Sequence, residues 1–175
     1  MPTSRELRRR LEELPRRNRS LDLWRAAGTA YDLLATRGAR LHGGRWNPPG
    51  LAVLYASLEP ETVRAERVRA AELRGMPESA LYPLRLGRVA LRGPVVDLSR
   101  QGAAEKLGFD APFSILTPLA QSRAVGAAAA KLPVAALLVP SVTGAGTNAV
   151  IYPERAAEGP EITETKLLRS ARGWP

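Results

Sequence analysis

Apolar positions along the chain fall into short groups whose spacing switches between helical and extended periods. Leu7, Leu11 and Leu14 form a thin apolar stripe among Arg and Glu, which predicts a helix over 4–14 with Ser4 as its cap. Pro15 and the Arg-rich stretch behind it end that helix. Residues 21–27 read as a strand or extended entry with Trp24 buried, and the Gly and Pro content of 38–49 predicts a loop. A strand is expected over 52–57. A helix follows from Pro60 to about Leu73, with Ser57 or Glu59 near its cap and Gly75 and Pro77 as its stop. Residues 80–86, 87–91 and 95–98 are strand-like, and 102–108 predict a short helix ending at Gly108. An Ala-rich helix is expected over 116–131, capped by Thr117 with Pro118 at its first position. Then come a strand over 135–139, a loop over 144–147, a strand over 148–152 and an edge strand over 162–168. The connections are too irregular for a doubly wound sheet, so the pattern predicts an α+β fold. At 175 residues it is expected to form one domain, 1–175, with 1–19 as an N-terminal helical extension and a core over about 21–153.

Composition narrows the chemistry. The chain has no cysteine and a single histidine, His42, which excludes disulfides, thiolate metal sites and a histidine-built zinc site. Residues 1–19 lack the apolar centre of a signal peptide, and the apolar run 134–140 is far too short to span a bilayer, so a cytoplasmic protein without a membrane segment is expected. The formal net charge is +9, almost all of it from Arg. An Arg-rich composition, nucleic-acid binding, a phosphate-bearing substrate and an acidic protein partner all fit that charge. Aromatics at 5% and the spread of the basic residues argue against a stacking platform for single strands.

The candidate chemistry lies between Leu41 and Glu66. Gly43-Gly44-Arg45-Trp46-Asn47-Pro48-Pro49-Gly50 precedes Leu54-Tyr55-Ala56-Ser57 and then Glu66. Paired glycines permit close approach of a ligand, Arg45 offers a planar fork suited to phosphate, Tyr55 a ring face and Glu66 a carboxylate. Those parts suit an anionic nucleotide carrying a positively charged base, with attack at its glycosidic bond. Each residue has a plainer reading. Arg25, after Trp24, enters a cleft or is one surface arginine among many. Arg45 aims at a ligand or pins its loop to carbonyl oxygens. Tyr55 packs in a strand, and Glu66 is a solvated partner of Arg64, Arg67 or Arg69. Ser141 sits at a strand end where ligands bind or in an ordinary turn, and Asn148 holds a ligand or stabilises a turn.

Taken in order, Trp24-Arg25, the Gly43–Gly50 run, Leu54-Tyr55-Ala56-Ser57, Glu66, Val139-Pro140-Ser141 and Asn148 resemble the RES domain family, over about 21–153. The resemblance implies a mixed α/β fold distantly like the ADP-ribosyltransferase toxins. It implies the toxin half of a RES–Xre toxin–antitoxin pair that degrades NAD+ by phosphorolysis or hydrolysis and arrests growth. NAD+ would be substrate and inorganic phosphate a co-substrate, with no metal. By the same resemblance Arg25 and Arg45 hold the diphosphate or an incoming phosphate, Tyr55 stacks beside the nicotinamide, Glu66 is the catalytic carboxylate and Ser141 the family serine. Trp46 and Asn148 complete the binding wall. Some members carry a functional serine just before the helix segment matching Ala124-Val125-Gly126, which makes Ser122 the second choice after Ser141. The implied partner is an Xre-type antitoxin, with DNA contacted only through it and a homo-oligomer forming within the complex. The alternatives are a mono-ADP-ribosyltransferase acting on a protein, a pseudo-enzyme that only binds an antitoxin, and a basic nucleic-acid-binding module.

Overall fold

The computed structural model describes residues 1–144 and 146–175. Ala145, inside the loop predicted over 144–147, lies outside the described residues. The elements run α1 (Ser4–Glu13), β1 (Arg16–Gly28), α2 (Arg37–His42), β2 (Leu54–Ser57), α3 (Pro60–Glu72), β3 (Leu84–Asp97), α4 (Ala103–Lys106), α5 (Leu119–Ala129), β4 (Ala136–Pro140), β5 (Thr147–Ile151) and β6 (Glu161–Leu168). This is the mixed α and β content that the hydrophobic pattern predicts.

The strands form a small barrel. Their order is β1-β2-β5-β4-β3-β6, and a further pairing of β1 with β3 closes the first five on themselves. β3 makes this closure possible because its outer edge is shared. Leu84–Ala90 pair antiparallel with β6, while Val95–Asp97 pair parallel with β4. Closure leaves few unpaired backbone groups at sheet edges.

Several boundaries differ from the sequence reading for identifiable reasons. The cap of α1 is Thr3 rather than Ser4. Its side chain accepts from the Glu6 N–H while Glu6 Oε2 accepts from the Thr3 N–H, a reciprocal capping box. β1 begins at Arg16 within the Arg-rich stretch, because long registered pairing with β3 overrides the polar composition there. β3 is one strand where three pieces were expected. A short helix, α2, occupies the start of the predicted 38–49 loop. Thr117 does not cap α5; its hydroxyl accepts from the Ser114 N–H instead, and the cap position is Pro118. Trp24, expected to be buried, is partly exposed, with the Arg88 guanidinium 5.1 Å from its ring centre.

The main core lies between the barrel and a layer of helices. Leu7, Leu11 and Leu14 of the N-terminal segment pack there with Val125, Ala128 and Ala129 of α5, Phe109, Phe113, Leu137 and Val150. The N-terminal helix is therefore built into the core and is not an appendage. A second cluster, including Leu23, Leu54, Val89, Leu138 and Ile151, fills the barrel interior. No helix is long and apolar enough to cross a membrane, among the described residues.

Candidate active site

The barrel presents a row of side chains across four strands. Trp24 of β1 is in register with Ser57 of β2, Ser57 with Asn148 of β5, and Asn148 with Val139 of β4. Pro60 at the first turn of α3 sets the helix off directly after β2. Val63, Glu66 and Arg67 follow at i, i+3 and i+4, so one helix face looks onto the strand row. Between them lies a cleft of about 320 Å³ whose walls include Arg25, Arg45, Tyr55, Glu66, Arg67 and Asn148.

Glu66 is held by two neutral donors. Ser141 Oγ and Asn148 Nδ2 both donate to its Oε1, each at 2.7 Å. Asn148 is itself fixed, since its Oδ1 accepts from Ser57 Oγ at 2.7 Å. Ser141 Oγ also lies 2.7 Å from Thr143 Oγ1 and accepts from the Thr143 N–H at 3.1 Å. The plainer reading of Glu66, an exposed partner of its neighbouring arginines, does not hold in the structure. Arg64 pairs with Glu78 instead, and Glu66 turns inward.

The loop before β2 is knotted around Asn47. This residue is fully buried, and its Nδ2 donates to the carbonyls of Ala39, Pro48 and Leu51 while its Oδ1 accepts from Tyr55 Oη at 2.8 Å. The Trp46 N–H in turn donates to Tyr55 Oη at 2.9 Å. Burial pushes the Tyr55 hydroxyl up to about 12. A Cβ on Gly44 would stand 2.6 Å from that hydroxyl, which explains the glycine. On the far side, a Cβ on Gly126 would collide with the Trp46 carbonyl, so α5 meets the loop backbone to backbone. Trp46 lines the cleft but is 4% exposed, its ring set edge-on to Phe113 at 5.1 Å.

The two arginines predicted to grip an anion are both occupied by backbone. Arg25 donates through Nε to the Leu33 carbonyl at 2.6 Å, through Nη1 to that of Tyr55 and through Nη2 to that of Ala35. Burial, with the nearby Arg67 charge, draws it down to about 10. Arg45 donates to the carbonyls of Thr117, Ile115 and Ser114, the loop-pinning role weighed against ligand binding above. Burial lowers its pKa too, while the Glu66 carboxylate pulls it the other way.

Thus Arg25, Arg45, Trp46, Tyr55, Glu66, Ser141 and Asn148 come together from six separate stretches of chain. Ser122 does not join them. It is fully buried on α5, its Oγ has no partner among the described residues, and it is absent from the cleft wall. The sequence reading gave Ser57 no role beyond a place in the Leu54–Ser57 run and a possible helix cap, and named Arg67 only as a possible partner of Glu66. The i, i+3, i+4 relation of Val63, Glu66 and Arg67 was the signal available for Arg67.

Residues 22–170 match the model of the RES domain. The chain is 31% identical over 144 residues to the NAD(+) phosphorylase MbcT of Mycobacterium bovis, covering 78% of this chain and 75% of that protein. The same figures hold for MbcT of Mycobacterium tuberculosis, strain H37Rv. Among solved structures, the M. tuberculosis MbcT-MbcA toxin-antitoxin complex superposes with a TM-score of 0.83 at 28% identity, covering 94% of this chain and 92% of the matched one.

Proposed function

The chain belongs to the RES domain family, and from that premise we propose that it is a toxin that cleaves the nicotinamide–ribose bond of NAD+ and passes the ADP-ribosyl group to phosphate. The observation that carries this reading is the Glu66 carboxylate, held by Ser141 and Asn148 at the wall of a cleft rich in arginine. The relatives named NAD(+) phosphorylase support the substrate and the acceptor.

The chemistry asks little of the protein beyond placement and charge. Nicotinamide leaves as a neutral base, taking the bonding pair, and positive charge develops on the ribose. A carboxylate beside that carbon stabilises the charge and can hold a ribose hydroxyl. A phosphate oxygen then supplies the electron pair for the new bond. Ser141 and Asn148 hold Glu66 through neutral donors, which keeps its full charge available to the ribose. Tyr55, anchored through its hydroxyl, offers its ring face beside the nicotinamide. Arg25 and Arg45 contribute positive field toward the diphosphate while bracing the loops around the cleft.

We read 1–175 as a single RES-like unit whose barrel is a distant relative of the ADP-ribosyltransferase toxins. The MbcT-MbcA complex supports an antitoxin as partner, and we take it to be an Xre-type DNA-binding protein that covers the cleft, in a homo-oligomeric assembly in the cytoplasm. Contact with DNA would then run through the antitoxin.

The deciding experiment incubates the purified protein with NAD+, with and without inorganic phosphate, and identifies the products. Phosphate-dependent release of nicotinamide with a phosphorylated ADP-ribose supports the reading. ADP-ribose in both arms assigns hydrolysis, and ADP-ribose found attached to protein assigns a transferase. NAD+ left intact by the folded protein overturns enzymatic activity.

A further inference from the structure

Arg67 is the odd member of the cleft. Arg25 and Arg45 spend their donors on backbone carbonyls, and Arg123, behind the glycine pair, donates its Nε to the Gly44 carbonyl at 2.9 Å. Arg67 lines the same cleft, next in sequence to Glu66, and its Nε is sealed from solvent without a hydrogen-bond partner. No hydrogen bond or ion pair of its guanidinium occurs among the described residues. Burial and the charge of Arg74 both disfavour its protonated form. Arg67 is half-buried and its sealed Nε is neither solvated nor paired, so an anion at its remaining donors would offset a charge that burial disfavours. The cleft wall holds three guanidiniums, Arg25, Arg45 and Arg67, against the single carboxylate of Glu66, and that carboxylate is already bound by Ser141 and Asn148.

We propose that Arg67 is the anion-receiving group of this cleft, binding a phosphate-type oxyanion through its Nη donors, which make no hydrogen bond or ion pair among the described residues, while Arg25 and Arg45 act as braces. The proposal rests on the NAD+-cleaving reading for the origin of the anion, which is either free phosphate or the diphosphate of the dinucleotide. Both present the same tetrahedral oxygens to a fork of N–H donors. Placement beside Glu66 is chemically apt. An oxyanion held in the cleft that Glu66 also lines can serve the carbon on which positive charge develops, as a nucleophile or as the tether that fixes the ribose.

The test measures binding to the intact chain by calorimetry, with inorganic phosphate and ADP-ribose as separate probes, for the wild type, R67Q, R67K and the exposed control R100Q. Wild type and R100Q are expected to bind alike. R67Q is expected to weaken at least one probe by tenfold or more, with R67K intermediate because it keeps charge and loses the fork. Loss confined to phosphate assigns the free anion, loss confined to ADP-ribose assigns the diphosphate, and loss of both assigns a shared seat. Thermal melting of the unliganded proteins guards against a folding artefact. Removing a half-buried cation whose Nε is unpaired is expected to leave the Tm of R67Q at or above the wild-type value. Wild-type affinity of R67Q for both probes, no binding of either probe by the wild type, or a clear drop in Tm on replacing Arg67 would each overturn the proposal. Because no turnover is read, an Arg67-dependent anion site in a protein that leaves NAD+ intact would sink the enzymatic reading alone.

Discussion

Asn148 donates a 2.7 Å hydrogen bond to Glu66 across 82 positions of sequence, and it is the register of β5 with β2 that aims it. Asn148 pairs with Ser57 on the neighbouring strand, whose hydroxyl fixes the amide oxygen and so turns the NH2 toward the helix. Helix and barrel thus meet at one carboxylate oxygen. Ser141 and Asn148 fix where the Glu66 carboxylate sits through neutral donors, not through an ion pair, which sets it in place for the developing ribose cation.

Asn148→Asp tests that geometry through pH. A second carboxylate at hydrogen-bond distance from Glu66 disfavours double ionisation, so one of the pair titrates higher. If ionised Glu66 is required, the acid limb of the kcat/KM profile moves upward by about one pH unit or more. A profile that keeps its wild-type position at reduced height would confine Asn148 to bracing the strand.

Glu66→Gln removes the charge while keeping the size. Loss of one electrostatic stabiliser of this kind lowers turnover by roughly a hundredfold or more. Thermal melting should change little, because the amide oxygen can still accept from Ser141 and Asn148. Nicotinamide release near the wild-type rate from a folded variant would return Glu66 to a purely structural role.

Arg45→Ala bears on the rim of the cleft. Arg45 pins the carbonyls of 114–117, a segment that exposes Ile115 and Leu116 to solvent. Hydrogen bonds from a charged donor contribute about 1.5–3 kcal/mol, so amide exchange across 114–117 should quicken about tenfold or more, with α5 unaffected beyond its first turn. Unchanged exchange would show that neighbouring packing, not Arg45, holds the segment.

Much of this was legible before any coordinates. The apolar stripe located α1, start and stop signals such as Pro60, Gly75 and Pro118 located α3 and α5, and short apolar runs located β4 and β5, whose alternate residues enter the two core clusters. The order of motifs gathered Arg25, Arg45, Tyr55, Glu66, Ser141 and Asn148, which do converge. What the sequence hid depends on distant partners. The continuity of β3 comes from pairing with three other strands, and no local window contains them. The side-chain assignment of the arginines was also hidden, since carbonyls at 33–35 and 114–117 choose between bracing and binding. Asn47 stood in the sequence only as one member of the Gly43–Gly50 run; its role as a buried knot follows only from closure of the loop onto Tyr55.

Tyr55→Phe separates the knot from the chemistry and carries a pH signature of its own. The variant keeps the ring that lines the cleft but strips the partner from the Trp46 N–H and from Asn47 Oδ1. Leaving such groups unpaired in a buried site costs about 1–3 kcal/mol, and each kcal/mol corresponds to roughly 2–4 °C in Tm for a domain of this size. The sign of the pH effect follows from burial, which pushes the Tyr55 hydroxyl up to about 12 against about 10 in an unfolded chain. The unfolded state therefore loses this proton first. Stability from Tyr55 is fully present below about pH 10 and declines as pH rises from there toward about 12. Phenylalanine has no such proton, so the stability gap between wild type and Tyr55→Phe should narrow over that window. Tyr152, buried with its hydroxyl on the Gly126 carbonyl, is pushed up by burial first and by Tyr55 second, and it remains in both proteins. Denaturant midpoints measured for both from about pH 8 to about pH 11 read the gap directly. A gap that stays constant with pH would show that the Tyr55 hydroxyl titrates as it does in the unfolded chain, and the knot around Asn47 would have to be redrawn.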